Sequence, residues 1–180
     1  GCAARALILD DRLDVWTRGE DQTPRVLVVQ PYSYLSKVLA TPDLRDEDRQ
    51  LAHSARALVA THAAFYQPGG DDEPAADAVA ALDVSRSAVF AGATFFFACK
   101  ADAWTERLAA RYGAALAETI DAASHVVALV APPGHATDNV VHLDWFWYCV
   151  WRCRREPDRK YRLAPAPPPP PTPPPPPPPS

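Results

Sequence analysis

Two adjacent carboxylates, Asp10 and Asp11, stand directly after the apolar run Ala6-Leu7-Ile8-Leu9. A hard cation such as Mg²⁺ takes carboxylate oxygens, few protein ligands, water and substrate phosphate. Two acids at a strand end can offer one side chain to such a metal and the other to support it. Phosphate chemistry is therefore the reaction class this pair could serve, although an acidic loop after a strand is common and the pair alone is a weak signal. His142, Cys149 and Cys153 suggest zinc by residue type, but no second closely spaced pair completes four ligands, and Cys149 reads as a core thiol. Lys100 reads either as a phosphate contact or as an ordinary surface lysine.

The elements that would position these residues follow from periodicity. The run 6–9 and the run Arg25-Val26-Leu27-Val28-Val29 read as buried strands, with a polar loop between them. Continuous apolar strands of this kind belong to parallel sheets, whose ligands bind beyond the carboxyl ends. From 46 to 66 the period changes to steps of three and four, which predicts a helix burying Leu51, Ala55, Leu58, Val59, His62, Phe65 and Tyr66. Gln67 to Pro74, rich in proline, glycine and acids, reads as an exposed linker. Beyond it, strands are expected at 93–98, 115–119, 125–130 and 139–142. A helix is expected at 102–112 with Gly113 as its C-cap, and a last helix capped by Asp144. Alternation of strands and helices over this length implies a small parallel sheet.

The last helix carries Trp145, Trp147, Cys149 and Trp151. Trp145 and Cys149, four apart, share a face directed to the core. Trp147 and Trp151 form a second face that either packs within the chain or docks a partner. The basic run Arg152, Arg154, Arg155, Arg159, Lys160 and Arg162 is read either as a binding or import surface or as a solvated helix end.

The chain has 180 residues, a net charge of −4, 21 prolines, 4 cysteines and no methionine. No apolar run approaches the roughly 20 residues of a membrane helix. The first five residues are no cleavable signal, and four unpatterned cysteines make no disulfide framework. A soluble intracellular protein is the expectation. A chain opening without methionine a few residues before a strand reads as a fragment. Fifteen arginines against three lysines indicate a compositional bias that makes alanine and proline enrichment weak evidence. The proline-rich tail reads as a polyproline II rod, either a ligand for aromatic grooves or a low-complexity expansion.

The stretch Ile8-Leu9-Asp10-Asp11-Arg12-Leu13-Asp14-Val15-Trp16, followed by Val28-Val29-Gln30-Pro31-Tyr32-Ser33-Tyr34-Leu35, resembles the last motif of the Fcp-type phosphatases of the haloacid dehalogenase superfamily. These act on the phosphorylated C-terminal repeat domain of RNA polymerase II. A second resemblance, to a BRCT domain, rests on Val89 to Phe97, Tyr112-Gly113-Ala114, Ser124 to Ala128, and Val140 to Cys149 with its tryptophan four residues before the cysteine. Fcp-type phosphatases carry a BRCT domain after the catalytic domain, so the two resemblances occur in the family's order.

The resemblance implies an α/β fold. Residues 1–40 would be the C-terminal remnant of a haloacid-dehalogenase-like parallel sheet, 41–67 a connecting helix and 68–82 a linker. A BRCT domain would occupy 83–163, and 164–180 a disordered tail. Asp11 would be the Mg²⁺ ligand and Asp10 its acidic neighbour, while Trp145, Cys149 and Gly113 would pack the BRCT unit. The family's nucleophile, the first Asp of an Asp-x-Asp-x-Thr motif, forms an aspartyl-phosphate. That motif is absent from this sequence, so the chain alone is expected to be inactive. A phosphopeptide pocket of the usual kind is not expected, because the first strand ends Ala98-Cys99-Lys100 and few residues separate Val130 from Asn139. The implied setting is the nucleus, with the polymerase tail as substrate, transcription factors as BRCT partners, and neither membrane nor nucleic acid involved. The alternative is a non-catalytic BRCT adaptor in transcription or repair that meets its partners through Trp147 and Trp151.

Overall fold

A computed structural model describes residues 6–16, 23–31, 49–66, 77–99, 101–133, 135 and 138–164. The tyrosine-containing loop after Pro31, the linker to Pro74, Lys100 and the proline tail lie outside the described residues.

Two parallel strands, β1 (Ile8–Asp10) and β2 (Val26–Val28), pair with Leu9 opposite Leu27. Val26, Leu27 and Val28 are all buried, as a continuous apolar run in a parallel sheet requires. Leu9 remains 48% exposed, and no third strand flanks β1 among the described residues. Helix α1 spans Gln50–Tyr66. Helix α2, Ala78–Ser87, is capped by Asp77, whose carboxylate accepts from the Val79 amide at 3.0 Å. Four further strands follow: β3 (Thr94–Phe97), β4 (Ala115–Leu116), β5 (His125–Ala128) and β6 (Val140–His142). They form a wholly parallel sheet in the order β4-β3-β5-β6, with α3 (Ala103–Arg111) joining β3 to β4. Helix α4 (Leu143–Arg152) follows β6 directly.

Three expectations need correction. The helix expected at 46–66 buries Phe65 as expected but otherwise a different face: His53, Ser54, Ala57 and Thr61 are inside, whereas Leu51 and Val59 are 76% and 69% exposed. Small side chains let α1 lie close to α2, and the buried hydroxyl of Thr61 is satisfied by donating to the Ala57 carbonyl at 2.8 Å. Helix α2 extends into the region read as linker. Its alanines are the strongest helix formers, and Asp77 stands at the cap position. Finally, His142 rather than Asp144 caps α4: its Nδ1 accepts from the Asp144 amide at 3.2 Å, leaving Asp144 in the first turn.

β1, β2 and α1 make a first unit, and the core of the second, which runs from α2 through the four-stranded sheet to α4, is aromatic. Phe90, Phe95, Trp145 and Phe146 are fully buried and meet at ring-centroid distances of 4.8 to 6.5 Å. Trp145 Nε1 donates to the Glu156 carbonyl at 2.8 Å, and the Glu156 amide donates to Cys149 Sγ at 3.2 Å. The pair four apart on α4 therefore holds one peptide of the returning chain between them. Gly113 follows the C-cap of α3 with φ of +92°, and a Cβ there would lie 1.9 Å from the Ser87 carbonyl oxygen. Only glycine fits this turn against the end of α2.

The two units are packed together. Val28 belongs to the same buried cluster as Phe146 and Val150, and Leu27 packs with Ala57 and Leu82. Arg86, only 1% exposed, reaches from α2 to donate to the carbonyls of Pro24 (2.9 Å) and Val26. No helix among the described residues is long and apolar enough to cross a membrane.

Candidate functional site

Strand β1 delivers Asp10 and Asp11 to its carboxyl end, where the chain turns through Arg12 into a short 3-10 turn at Asp14–Trp16. Asp10 is tied into this turn by both oxygens: Oδ1 accepts from the Arg12 amide at 2.8 Å and Oδ2 from Trp16 Nε1 at 2.9 Å. The Arg12 amide, then the Trp16 indole, hold its carboxyl below the usual range. Arg12 turns its guanidinium to Asp14 at 2.6 Å. Both side chains are exposed, so this pair orients the turn and contributes little stability.

Asp11 is exposed and lines a cleft of about 600 Å³ between the two units. Arg12, Leu13, Val28 and Pro31 form its wall on the first unit, and Asp102, Trp104, Arg107, Trp147 and Trp151 form the other. Trp147 lies between Trp104 and Trp151, with centroids 6.2 and 6.1 Å apart and planes within 9° and 23° of parallel. The face carrying Trp147 and Trp151 is thus turned largely inward, toward the first unit. Asp102 caps α3, accepting from the Thr105 hydroxyl and amide, each at 2.7 Å, and these bonds lower its carboxyl pKa. Trp104 and Arg107, three apart on α3, reach the cleft together. Arg107 gave no sequence signal beyond that spacing.

As a test for Mg²⁺, the donor set is small. Asp11 presents one carboxylate to the cleft, and Asp10 is engaged in orienting the loop. No group of three His, Cys, Asp or Glu side chains converges on a metal position among the described residues. Asp11 alone leaves most of the coordination of Mg²⁺, which usually takes one or two carboxylates together with substrate phosphates, to other groups. These residues suit one ligand position in a larger set, and no catalytic step follows from them alone.

The basic run is largely consumed within the fold. Arg152 and Arg154 pair with the buried Glu156 at 3.4 and 2.8 Å, and Arg162 pairs with Asp158 at 3.0 Å. Arg155 contacts His125 Nε2 at 3.2 Å, and His125 stacks on Trp145 with centroids 5.1 Å apart. His142, Cys149 and Cys153 form no metal group. Burial pushes the Cys149 thiol up to about 12, which keeps it protonated and inert.

No protein-family profile and no curated protein sequence matches the chain. Its fold is similar to two solved structures. One is of Fcp1, described as an essential RNA polymerase II CTD phosphatase: TM-score 0.67, 16% identity, covering 90% of this chain and 61% of that one. The other is a fission yeast Fcp1 variant, an RNA polymerase II CTD phosphatase bound to beryllium fluoride: TM-score 0.59, 18% identity, covering 89% of this chain and 61% of that one. The chain spans about three fifths of the length of each.

Proposed function

We propose that the chain is the C-terminal part of a nuclear Fcp-type protein-serine/threonine phosphatase that removes phosphate from the RNA polymerase II C-terminal repeat domain. On this reading β1 and β2 are the last strands of a haloacid-dehalogenase-like catalytic sheet, and the four-stranded parallel sheet with its helices is a BRCT domain. Asp11 would supply one oxygen ligand to Mg²⁺, which would neutralise charge on the phosphoryl group, and Asp10 holds the loop that presents Asp11. The aspartyl nucleophile belongs to residues outside this chain.

The observation that carries the reading is the joint one: likeness to the Fcp1 fold over nearly the whole chain, with Asp10 and Asp11 at the carboxyl end of a parallel strand and Asp11 lining a cleft. The exposed apolar positions support it. Leu9, 48% exposed, lies on a parallel sheet that has only two strands among the described residues, and parallel sheets are ordinarily covered on both faces. Leu51 and Val59 project from α1 in the same way.

The adaptor reading is favoured by one observation, the buried Arg86 and Val28 contacts that dock the first unit onto the second as an integral part of it. The transcript, read upstream of the codon for Gly1, separates the two. The phosphatase reading expects an in-frame Asp-x-Asp-x-Thr preceded by an apolar strand. A stop codon followed by a start near Gly1 would remove catalysis and leave the adaptor.

A further inference from the structure

We propose that the tryptophan cleft is a seat for polyproline, occupied within the same molecule by the chain's own proline segment, residues 167–179. Trp104, Trp147 and Trp151 form a row of near-parallel indoles, each partly exposed. None of their Nε1–H groups has an acceptor among the described residues, in contrast to Trp145 and Trp16, which donate to Glu156 and Asp10. The row therefore offers flat apolar faces together with unused donors.

The proline segment has the complementary chemistry. Proline lacks an N–H, and a polyproline II helix makes no internal hydrogen bonds, so its carbonyls are free to accept. Docking of this helix on aromatic-lined grooves is an established recognition mode, helped by the small ordering cost of a rod already extended. Residues 163–179 carry no charged side chain, so the mixed charges of Asp11, Asp102 and Arg107 at the cleft do not repel it.

The end of the described chain lies within reach. The Leu163 amide bonds the Val140 carbonyl at 3.1 Å, which brings the chain out along β6 beside α4. Two ring contacts of 5.7 and 5.5 Å connect Tyr161 through Tyr148 to Trp151. From Ala164, a polyproline II segment of this length extends roughly 45 Å. That is ample for a path around the end of α4 and along the row.

The test is calorimetric titration of a synthetic peptide of residues 167–179 into two 180-residue proteins. One is the unaltered chain, and in the other the prolines at 167–171 and 173–179 are replaced by alternating glycine and serine. A tethered tail competes at an effective concentration in the millimolar range, so a peptide of about 100 μM affinity should bind the unaltered chain about tenfold more weakly. In the tail-substituted protein, Trp104→Ala should weaken the peptide at least about tenfold. Trp104→Phe, which keeps the ring but loses the donor, should weaken it by less. Equal affinity for both proteins, or no binding to the tail-substituted one, would overturn the proposal. So would sedimentation showing that the unaltered chain self-associates through its tail, since the seat would then take a second copy.

Discussion

Arg86 gives the sharpest energetic prediction, because two opposed effects meet at one side chain. It is 1% exposed, and its two Nη groups donate to the carbonyls of Pro24 and Val26 at the start of β2. Its Nε is buried without a partner among the described residues, and its ion pair with Asp83 at 3.3 Å is partly solvated. Hydrogen bonds from a charged donor contribute about 1.5–3 kcal/mol each, so the two carbonyl bonds account for roughly 3–6 kcal/mol. Relief of the buried Nε and of the guanidinium's own desolvation offsets about a third of this, about 1–2 kcal/mol. Arg86→Met should therefore cost about 3 kcal/mol, lowering the melting temperature by on the order of 10 °C for a chain of this size. Arg86→Lys should cost somewhat less, since an ammonium keeps one carbonyl bond although it cannot fork to both. Urea titration with tryptophan fluorescence measures the loss, and limited proteolysis should show early cutting before β2. A loss below about 1 kcal/mol, or a gain in stability, would refute the claim that Arg86 clamps the two units and would favour desolvation as the dominant effect.

Other predictions are independent of that clamp. Gly113→Ala should cost about 3 kcal/mol or more, because its Cβ would overlap the Ser87 carbonyl, whereas Gly92→Ala, with φ of +74° but open space, should cost about 1 kcal/mol; paired urea titrations compare them. Burial first, then nearby arginines, lowers the pKa of both His53 and His125: Arg152, Arg56 and Arg154 act on His53 against Glu156, and Arg155 and Arg162 act on His125 against Asp158. A depressed histidine pKa means that the unfolded chain takes up the proton first. Stability is therefore complete above about pH 6.5 and falls as pH drops below it, and His53→Gln should flatten the decline of the urea midpoint. Cys149 should resist thiol reagents in the folded protein and react on unfolding, at a rate that tracks global opening.

The parts of the fold legible in the sequence are those where one physical signal dominates. Val26 to Val28 and Val126 to Ala128 are short apolar runs because both faces of a parallel sheet are covered. Trp145 and Cys149 lie one helical turn apart on the buried side of α4, where spacing alone places them together. Legibility fails where packing overrides hydropathy. The buried face of α1 is made of Ser54, Ala57 and Thr61, chosen by close approach to α2 rather than by apolarity, so Leu51 and Val59 mislead a periodicity argument. Helix α2 is hidden because alanine in a biased composition carries little information, although Asp77 marked its start. At the site, Asp10 and Asp11 are readable as a pair, but their division of labour depends on the Trp16 indole and the Arg12 amide. The cleft is tertiary: nothing in the spacing of Leu13, Trp104 and Trp147 announces that they meet.

The most direct test of the phosphatase account is kinetic, on the protein that includes the residues encoded upstream of Gly1. Phosphate release from a serine-phosphorylated polymerase repeat peptide is measured with Mg²⁺, with the metal chelated, and after Asp11→Asn, with unfolding curves as the control for folding. The account predicts Mg²⁺-dependent release by the unaltered protein and, for Asp11→Asn, a loss of at least about 100-fold, equivalent to about 2.7 kcal/mol of barrier. Full activity in the Asp11→Asn protein, or no activity in the longer protein at all, would contradict it.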